Sequence, residues 1–266
     1  PGSGVPLAHT YTASGTFTVR VWATDKDGAE SAVATRTYTA NAVEVQGADL
    51  VVGGTTLADA IVVAATATAN RVQVSVNGAN LGTFTAPGQV VVFAQAGDDS
   101  VSFATAKVKG TTYRVAQALL LFGGAGNDTL DARNASGPAV LVGGAGNDTV
   151  YAGAGRSLLL GGAGADTLRG GGADDILIGG VTDYDDDLAA LAALRAEWAR
   201  TDRDYATRQA QLLAGVSGGY ALNAARVRDD GGAIDELFGN GGRDWFFLAP
   251  ADRANDRQGN ETITNL

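Results

Sequence analysis

A nine-residue unit built on glycine and aspartate recurs between residues 123 and 178 and returns at residue 239. Most copies have glycine at the first, second and fourth places, aspartate at the sixth and an apolar residue at the eighth. The copies begin at Gly123, Gly143, Ala152, Gly161, Gly170 and Gly239. A carboxylate at a constant place in successive short units predicts a series of oxygen ligands for a hard cation such as Ca²⁺.

The residue types in this unit suit an oxygen-lined cage. Glycines permit left-handed backbone angles, so a short turn can point its carbonyl oxygens inward, and the aspartate adds a carboxylate. The apolar residue at the eighth place would point into the core of a short strand. Without a cation the stacked carboxylates would repel one another and inward carbonyls would lack partners, so we expect folding to be coupled to calcium binding.

Two nine-residue units are predicted to complete one coil, which would stack residues 18 positions apart. Asp148 and Asp166 have this separation and would face each other across a gap lined by carbonyl oxygens. Turns without metal, in which aspartate only caps backbone amides, are the alternative. The residues predicted to supply calcium ligands at these turns are Gly123, Asp128, Gly143, Ala145, Asp148, Gly161, Ala163 and Asp166.

The opposite side of the coil has fewer carboxylates. Asp175 would stack on Ser157, which has no carboxylate, so a site there needs a further aspartate, and Asp244 is the candidate. Upstream, Asp59 and Asp99 keep the sixth-place aspartate without most of the glycines, which predicts coils without calcium.

Residues 181–229 interrupt the repeat, which resumes at Asp230. We predict that the coil continues across this insertion, with Asp235 stacked on Asp166 and Asp244 on Asp175. The further candidate calcium ligands are therefore Asp175, Asp235 and Asp244.

Charge and missing residue types exclude several other sites. Acidic residues outnumber Lys and Arg by 29 to 19, giving a net charge of −10, which disfavours nucleic acid as a partner. Cys is absent and His9 is the only histidine, which excludes disulfides, thiolate metal sites, multi-histidine zinc sites and a Ser-His-Asp triad at the repeats. Paired carboxylates of a glycosidase are compatible with the composition, but carboxylates at repeat turns more often bind ions, so we predict that the chain is not an enzyme.

The repeats over Leu119 to Gly180 and Asp230 to Phe247 resemble those of repeats-in-toxin (RTX), or hemolysin-type calcium-binding, proteins, and Val43 to Phe103 do so more diffusely. This resemblance implies an all-β fold, a right-handed parallel β-roll or β-solenoid, with Ca²⁺ in its turns and export to a calcium-rich exterior. The segment from Ile178 to Tyr184, closed by Gly241 to Phe247, resembles a recurring C-terminal module of very large bacterial surface proteins.

The N-terminal residues predict two antiparallel strands around a turn at Asp25 to Gly28. The sequence from His9 to Val19 resembles the closing strands of a polycystic-kidney-disease-type (PKD) immunoglobulin-like domain, which implies a fragment of a β-sandwich. No stretch approaches the ~18 apolar residues that span a bilayer, so no membrane insertion is expected. The chain contains no Met, and we expect it to be an internal or C-terminal fragment whose export signal lies upstream.

Residues Asp185 to Ala214 predict one inserted amphipathic helix. Its apolar face carries Leu191, Trp198, Tyr205 and Leu212, and we expect it to dock on the flank of the roll, with a partner-binding helix as the alternative. The predicted regions are 1–41, the second half of a PKD-like domain; 42–118, irregular solenoid coils; 119–180, the glycine-rich β-roll; 181–229, the helical insertion; and 230–266, the last repeats and a cap.

Three hypotheses about function follow from these patterns. The first is a structural, calcium-stabilised module of a secreted or cell-surface bacterial protein. The second is the noncatalytic C-terminal part of a secreted protease, lipase or epimerase. The third is an adhesin that binds a cell-surface or glycan ligand through residues 182–228.

Overall fold

The computed structural model of the protein describes residues 15–40 and 42–266. Most of the described strands form two nine-stranded sheets, and the chain passes back and forth between them. The first sheet contains β3 (Val43–Gln46), β4 (Asp49–Gly53), β8 (Val90–Ala96), β12 (Leu119–Ala125), β14 (Ala139–Ala145), β16 (Ser157–Ala163), β18 (Ile176–Ile178), β22 (Trp245–Leu248) and β24 (Thr262–Asn265). The second sheet contains β5 (Ala60–Ala65), β6 (Arg71–Val76), β7 (Ala79–Thr85), β9 (Ser100–Ala104), β13 (Thr129–Asp131), β15 (Thr149–Tyr151), β17 (Thr167–Arg169), β21 (Glu236–Phe238) and β23 (Arg253–Ala254).

Parallel pairing links successive coils in both sheets, from β4 to β24 and from β5 to β23. In the regular region Ala139 lies beside Ser157 in the first sheet and Thr149 beside Thr167 in the second, so each coil there spans two nine-residue units. The prediction of a mainly β fold with parallel sheets is confirmed. Its right-handed winding stays a prediction.

The main core lies between the two sheets. Leu119 and Leu121 of β12 point into it together with Leu130 of β13, and the corresponding residues of later coils continue the same stack. Leu120 and Phe122 belong to a separate apolar cluster, because alternate residues of a strand point to opposite faces. The first sheet is therefore apolar on both faces.

The insertion covers the outer face of the first sheet. Leu191 and Trp198 are buried in the same cluster as Leu158 and Trp245, which lie on that face. Strands buried on both faces have continuous apolar runs, and this accounts for sequences such as Leu119 to Phe122. In the second sheet, strands such as Thr149–Tyr151 bury only the central residue.

The prediction of a single helix from Asp185 to Ala214 is wrong. The described residues contain two helices, α1 (Leu188–Trp198) and α2 (Tyr205–Ala214). Asp204 has an extended backbone, and its carboxylate accepts a hydrogen bond from Thr207 N at 2.8 Å, which is N-cap geometry. An aspartate in the middle of the predicted helix therefore starts a new helix.

Docking of the apolar stripe on the flank of the roll is confirmed. Leu191 and Trp198 in α1, and Tyr205 and Leu212 in α2, are all buried. Arg208 closes the junction of the two helices by donating to Trp198 O at 2.9 Å. No helix in the described part of the chain is long and apolar enough to cross a membrane.

The acidic run before α1 is divided among separate structural roles. Asp187 caps α1 by accepting from Ala189 N and Ala190 N, and Asp185 accepts from Thr182. Asp183 forms ion pairs with two arginines that follow α2. Two short antiparallel strands, β19 (Val181–Thr182) and β20 (Val227–Arg228), close the base of the insertion.

The N-terminal residues form the predicted antiparallel hairpin, β1 (Gly15–Val21) with β2 (Ala34–Ala40). The PKD-like pattern begins at His9, and its first residues lie outside the described residues. That resemblance stays a prediction. A second short hairpin, β10 (Ala106–Val108) with β11 (Thr111–Tyr113), projects between two coils.

Candidate metal centre

One row of aspartates follows the turns that lead from the first sheet to the second, which we name the first edge. Each of these carboxyl groups is at most 3 % exposed. Each successive Oδ1 accepts the backbone N–H of the preceding aspartate in the row, with N···O distances of 2.7 to 2.8 Å. The row consists of Asp59, Asp99, Asp128, Asp148, Asp166 and Asp235.

The stacking predicted from the repeat period is present in this row. Asp148 N donates to Asp166 Oδ1 at 2.7 Å, so the two residues occupy neighbouring coils. The row also crosses the insertion, because Asp166 N donates to Asp235 Oδ1 at 2.8 Å and β17 pairs with β21. The prediction that the coil continues across residues 181–229 is confirmed.

The second carboxylate oxygen distinguishes members of the row. Oδ2 of Asp99, Asp128, Asp148 and Asp166 is buried and has no hydrogen-bond partner among the described residues. An unsatisfied buried polar atom costs on the order of 1–3 kcal/mol, and more when it is charged. The structure thus repeats the same unsatisfied acceptor in four successive coils.

Glycine at the first place of the unit is required by the approach of these oxygens. A Cβ at Gly143 would lie 2.4 Å from Asp148 Oδ2 and 2.5 Å from the carbonyl oxygen of Gly161 in the next coil. Gly123 and Gly161 have the same surroundings. Oxygens from two coils therefore converge beside each of these glycines, and a side chain would fill the space between them.

The predicted carbonyl ligands fall into two groups. The carbonyls of Gly143 and Gly161 lie beside the unpaired Oδ2 atoms of the preceding coil. Those of Ala145 and Ala163 accept amide hydrogen bonds from Gly126 and Gly146 at 2.8 Å, so each retains one lone pair.

Burial makes these carboxyl groups weak acids. It raises the pKa of Asp99 to about 6, of Asp148 to about 7, of Asp166 to about 8 and of Asp235 to about 7, and it also raises the pKa of Asp128. Loss of hydration is the largest cause in each case, and neighbouring aspartates add to it. With a pKa of about 8, Asp166 holds a proton near neutral pH unless a cation replaces it, and Asp148 and Asp235 titrate close to neutral pH.

Turns that lead back from the second sheet to the first form the second edge. Asp175 is fully buried, and both of its oxygens accept backbone N–H groups, Oδ1 from Ser157 and Oδ2 from Gly171, each at 2.6 Å. Asp244 stacks on Asp175 as predicted, since Asp175 N donates to Asp244 Oδ1 at 2.7 Å. Among the residues that the structure describes, Asp244 Oδ2 is buried without a partner.

Asp99 was predicted to lie in a coil without calcium, which stays a prediction: its unpaired Oδ2 resembles that of the regular repeats, but Ala94 replaces their first-place glycine. Asp59 is fully hydrogen-bonded by Thr55 and Asn77, whereas Asp99 Oδ2 has no partner. The sequence signal for this likeness is Gly97, which comes directly before Asp98 and Asp99 as Gly126 comes before Asn127 and Asp128. Gly97 has a φ of +112°.

Two acidic residues at the C-terminal end were missed because they lie in a coil shorter than 18 residues and without the glycines. Asp252 accepts the N–H of Asp235 at 3.2 Å, and Thr262, next to Glu261, donates to Asp244 O at 3.0 Å. Each acidic residue is 17 positions after its partner, which shifts the nine-residue frame by one.

A cation at the first edge would depend largely on backbone oxygens. Within residues 15–40 and 42–266, no three acidic, histidine or cysteine side chains converge as a metal site. The donor set is therefore carboxylate and carbonyl oxygen, which fits a hard cation such as Ca²⁺ and does not fit a metal that prefers nitrogen or sulfur.

Parallel coils with stacked glycine and aspartate turns are typical of metal-binding repeat proteins. Residues 120–134, 134–156 and 157–183 match the family model described as RTX calcium-binding nonapeptide repeat (4 copies). The match covers about a quarter of the chain and does not extend to the repeats after the insertion. No curated protein and no solved structure matches the chain significantly.

Proposed function

We propose that the chain is a calcium-binding structural module that holds Ca²⁺ between neighbouring coils at the first edge. The observation that carries this proposal is the row of buried, unpaired Oδ2 atoms of Asp128, Asp148 and Asp166. Each lies beside a glycine at a position that has no room for a side chain. The row lies within the segment that matches RTX calcium-binding repeats.

Bound Ca²⁺ would supply the charge compensation that these carboxylates lack. Asp128, Asp148 and Asp166 would provide carboxylate oxygens, and the carbonyls of Gly143 and Gly161 lie beside them. Since the ligands come from different coils, the binding free energy adds to the free energy of folding.

We further propose a noncatalytic role in a secreted or cell-surface bacterial protein. A dissociation constant for Ca²⁺ of ~10⁻⁴ M, typical of extracellular modules, would leave the module incompletely folded in a calcium-poor compartment and folded outside it. Attachment to a secreted protease, lipase or epimerase remains the alternative. Burial of the stripe that contains Trp198 and Tyr205 favours a docking role for the insertion over ligand binding.

Calcium titration of the chelated chain tests the proposal. We expect a gain of β circular dichroism signal on addition of Ca²⁺, with heat release at a midpoint near ~10⁻⁴ M. Asp166→Asn removes one buried carboxylate and is expected to weaken binding about tenfold or more, by roughly 1.4 kcal/mol or more. Asp186→Asn removes the same charge from an exposed position and should leave the titration unchanged. A wild-type chain that does not respond to Ca²⁺ would overturn the proposal.

A further inference from the structure

The last turn of the second edge brings Asp244 beside a glutamate that lies outside the repeat. Trp245 pairs with Thr262 in neighbouring parallel strands, and Thr262 N donates to Asp244 O at 3.0 Å. Glu261, immediately before Thr262, therefore occupies the place next to Asp244 that an aspartate would take in a regular coil.

Both carboxyl groups direct an unpaired oxygen into this turn. Asp244 is fully buried, and its Oδ1 accepts from Asp175 N while its Oδ2 has no partner in the described structure. Glu261 Oε2 accepts from Gln258 N at 2.5 Å, and its Oε1 is buried and likewise without a partner. The same turn contains Gly239, where a Cβ would lie 2.3 Å from Asp244 Oδ2.

The charges that act most strongly on Asp244 are negative. Burial raises the pKa of Asp244 to about 8, and the negative charges of Glu261, Asp174 and Asp256 add to the effect. The pKa of Glu261 is also raised, mainly by burial. Two adjacent carboxyl groups, each with a buried and unpaired oxygen, need either a shared proton or a cation.

We propose that Asp244 and Glu261 form a second kind of divalent-cation site, at the C-terminal end of the second edge, which takes Ca²⁺. It differs from the first-edge turns because two carboxylates from neighbouring coils, one of them a glutamate, replace an aspartate and a glycine carbonyl. The site depends on the same preference of Ca²⁺ for oxygen, but it does not require that the first edge be occupied.

The position of Trp245 gives this site its own spectroscopic signal. Trp245 follows Asp244 directly, and its ring centroid is 6.3 Å from that of Trp198. First-edge turns follow the opposite ends of the first-sheet strands. Gly161, beside Asp166 Oδ2, lies three residues further along than the position level with Trp245 and two strands away, which is about 14 Å at ~3.3 Å per residue and ~4.8 Å between strands. Tryptophan-sensitised luminescence of Tb³⁺, a substitute for Ca²⁺, falls steeply with distance and will report the second edge.

The experiment is a Tb³⁺ titration of the full chain with excitation selective for tryptophan, followed by displacement with Ca²⁺. Wild type should give sensitised luminescence that Ca²⁺ removes. Glu261→Gln and Glu261→Asp should each lower the apparent affinity about tenfold. Glu236→Gln changes a glutamate in β21 of the second sheet whose side chain is 45 % exposed, and it should not change the affinity.

Asp166→Asn separates this proposal from the one for the first edge. It should weaken the calorimetric calcium response and leave the sensitised luminescence intact. Absence of sensitised luminescence in wild type, or equal luminescence in wild type and both Glu261 variants, would mean that Asp244 and Glu261 share only a proton, and would overturn the second site.

Discussion

Each aspartate of the first edge has two oxygens with different roles. Oδ1 of Asp166 closes the preceding coil by accepting the Asp148 N–H, so this oxygen is structural whether or not a cation is bound. Oδ2 is buried, has no partner in the described part of the chain, and is the atom available to a cation. Replacement by asparagine can retain the first role while removing the charge needed for the second.

The raised pKa values of these carboxyl groups predict a pH dependence that calcium reverses. In the calcium-free protein, Asp148 and Asp166 have pKa values of about 7 and 8, compared with about 3.9 for aspartate in the unfolded chain. The folded state therefore binds more protons than the unfolded state between about pH 4 and pH 8. The free energy of unfolding should accordingly be highest near the lower limit of this window and fall as pH rises through it. Calcium affinity should rise over the same range, because the ion displaces protons.

Urea unfolding at several pH values, with chelator and with excess Ca²⁺, measures both trends. Calorimetry in two buffers of different ionisation enthalpy counts the protons released on binding. Stability of the chelated protein that increased between about pH 5 and pH 8 would contradict the role given to the buried carboxyl groups.

Glycine at the first place of the unit provides a second test at this scale. In Gly143→Ala the new methyl group would meet Asp148 Oδ2 and Gly161 O, so we expect the variant to lose about 1–3 kcal/mol of stability and much of its calcium affinity. The control is Gly172→Ala, where a Cβ meets no atom within 4 Å and stability should change by less than about 0.5 kcal/mol. Urea unfolding and calcium titration of both variants make the comparison. Equal effects of the two substitutions would show that the space beside Gly143 has no special role in calcium binding.

Among the elements, the insertion is part of the folded roll. Its helices bury Trp198 against Trp245, and Trp198 Nε1 donates to the carbonyl of Asp174 at 2.8 Å in a second-edge turn. Tyr205 OH donates to Asp244 O at 3.1 Å in the next turn. The insertion thus packs on the first sheet and holds two turns of the second edge.

The buried Trp198 side chain should contribute strongly to stability. We expect Trp198→Ala to lower the free energy of unfolding by about 3–5 kcal/mol, because it leaves a large cavity and an unpaired carbonyl. Leu188→Ala, in the same helix but 38 % exposed, should cost less than about 1 kcal/mol. Urea unfolding in the presence of Ca²⁺ measures the difference, and similar losses would mean that the helices are not firmly docked.

The structure of the insertion could be predicted from the sequence only in part. The apolar stripe through Leu191 and Trp198 was correctly assigned to the flank of the roll because its seven-residue spacing is strong. The break before Tyr205 was missed because the stripe continues in phase from one helix to the next, although Asp204 is a good N-cap residue. The outer face of the first sheet was also missed, and its signal was the unbroken apolar run from Leu119 to Phe122.

For the whole molecule, the glycine and aspartate period predicted the regular coils and the continuation across the insertion. Their backbone conformation depends on local turn chemistry, so residue type and spacing were sufficient. Irregular coils were harder to predict because Asp252 and Glu261 lack the glycines and lie 17 residues after their partners. There, tertiary stacking places the carboxylates without a local signal.

Deletion of residues 249–266 tests the last coil. It removes β23, β24 and the Asp252 carboxylate that accepts the Asp235 N–H, and it exposes the end of the core at Phe246. We expect a higher calcium midpoint and a less cooperative β transition by circular dichroism. Deletion of residues 1–40, which contribute no first-edge aspartate, is the control and should leave the midpoint unchanged. A truncated chain with the wild-type midpoint would contradict the role of this coil.

The hydrogen bonds accepted by Oδ1 of the first-edge aspartates all run in one direction, opposite to the bonds that Asp98, Asn127 and Asn147 accept from the coil that follows. The side-chain acceptor always belongs to the later coil and the amide donor to the earlier one, from Asp59 through Asp235. A newly forming coil at the N-terminal side finds a carboxylate already in place, whereas one forming at the C-terminal side must bring its own. The aspartate row consequently has a direction, and ordering that begins at the C-terminal coil can template each preceding aspartate turn.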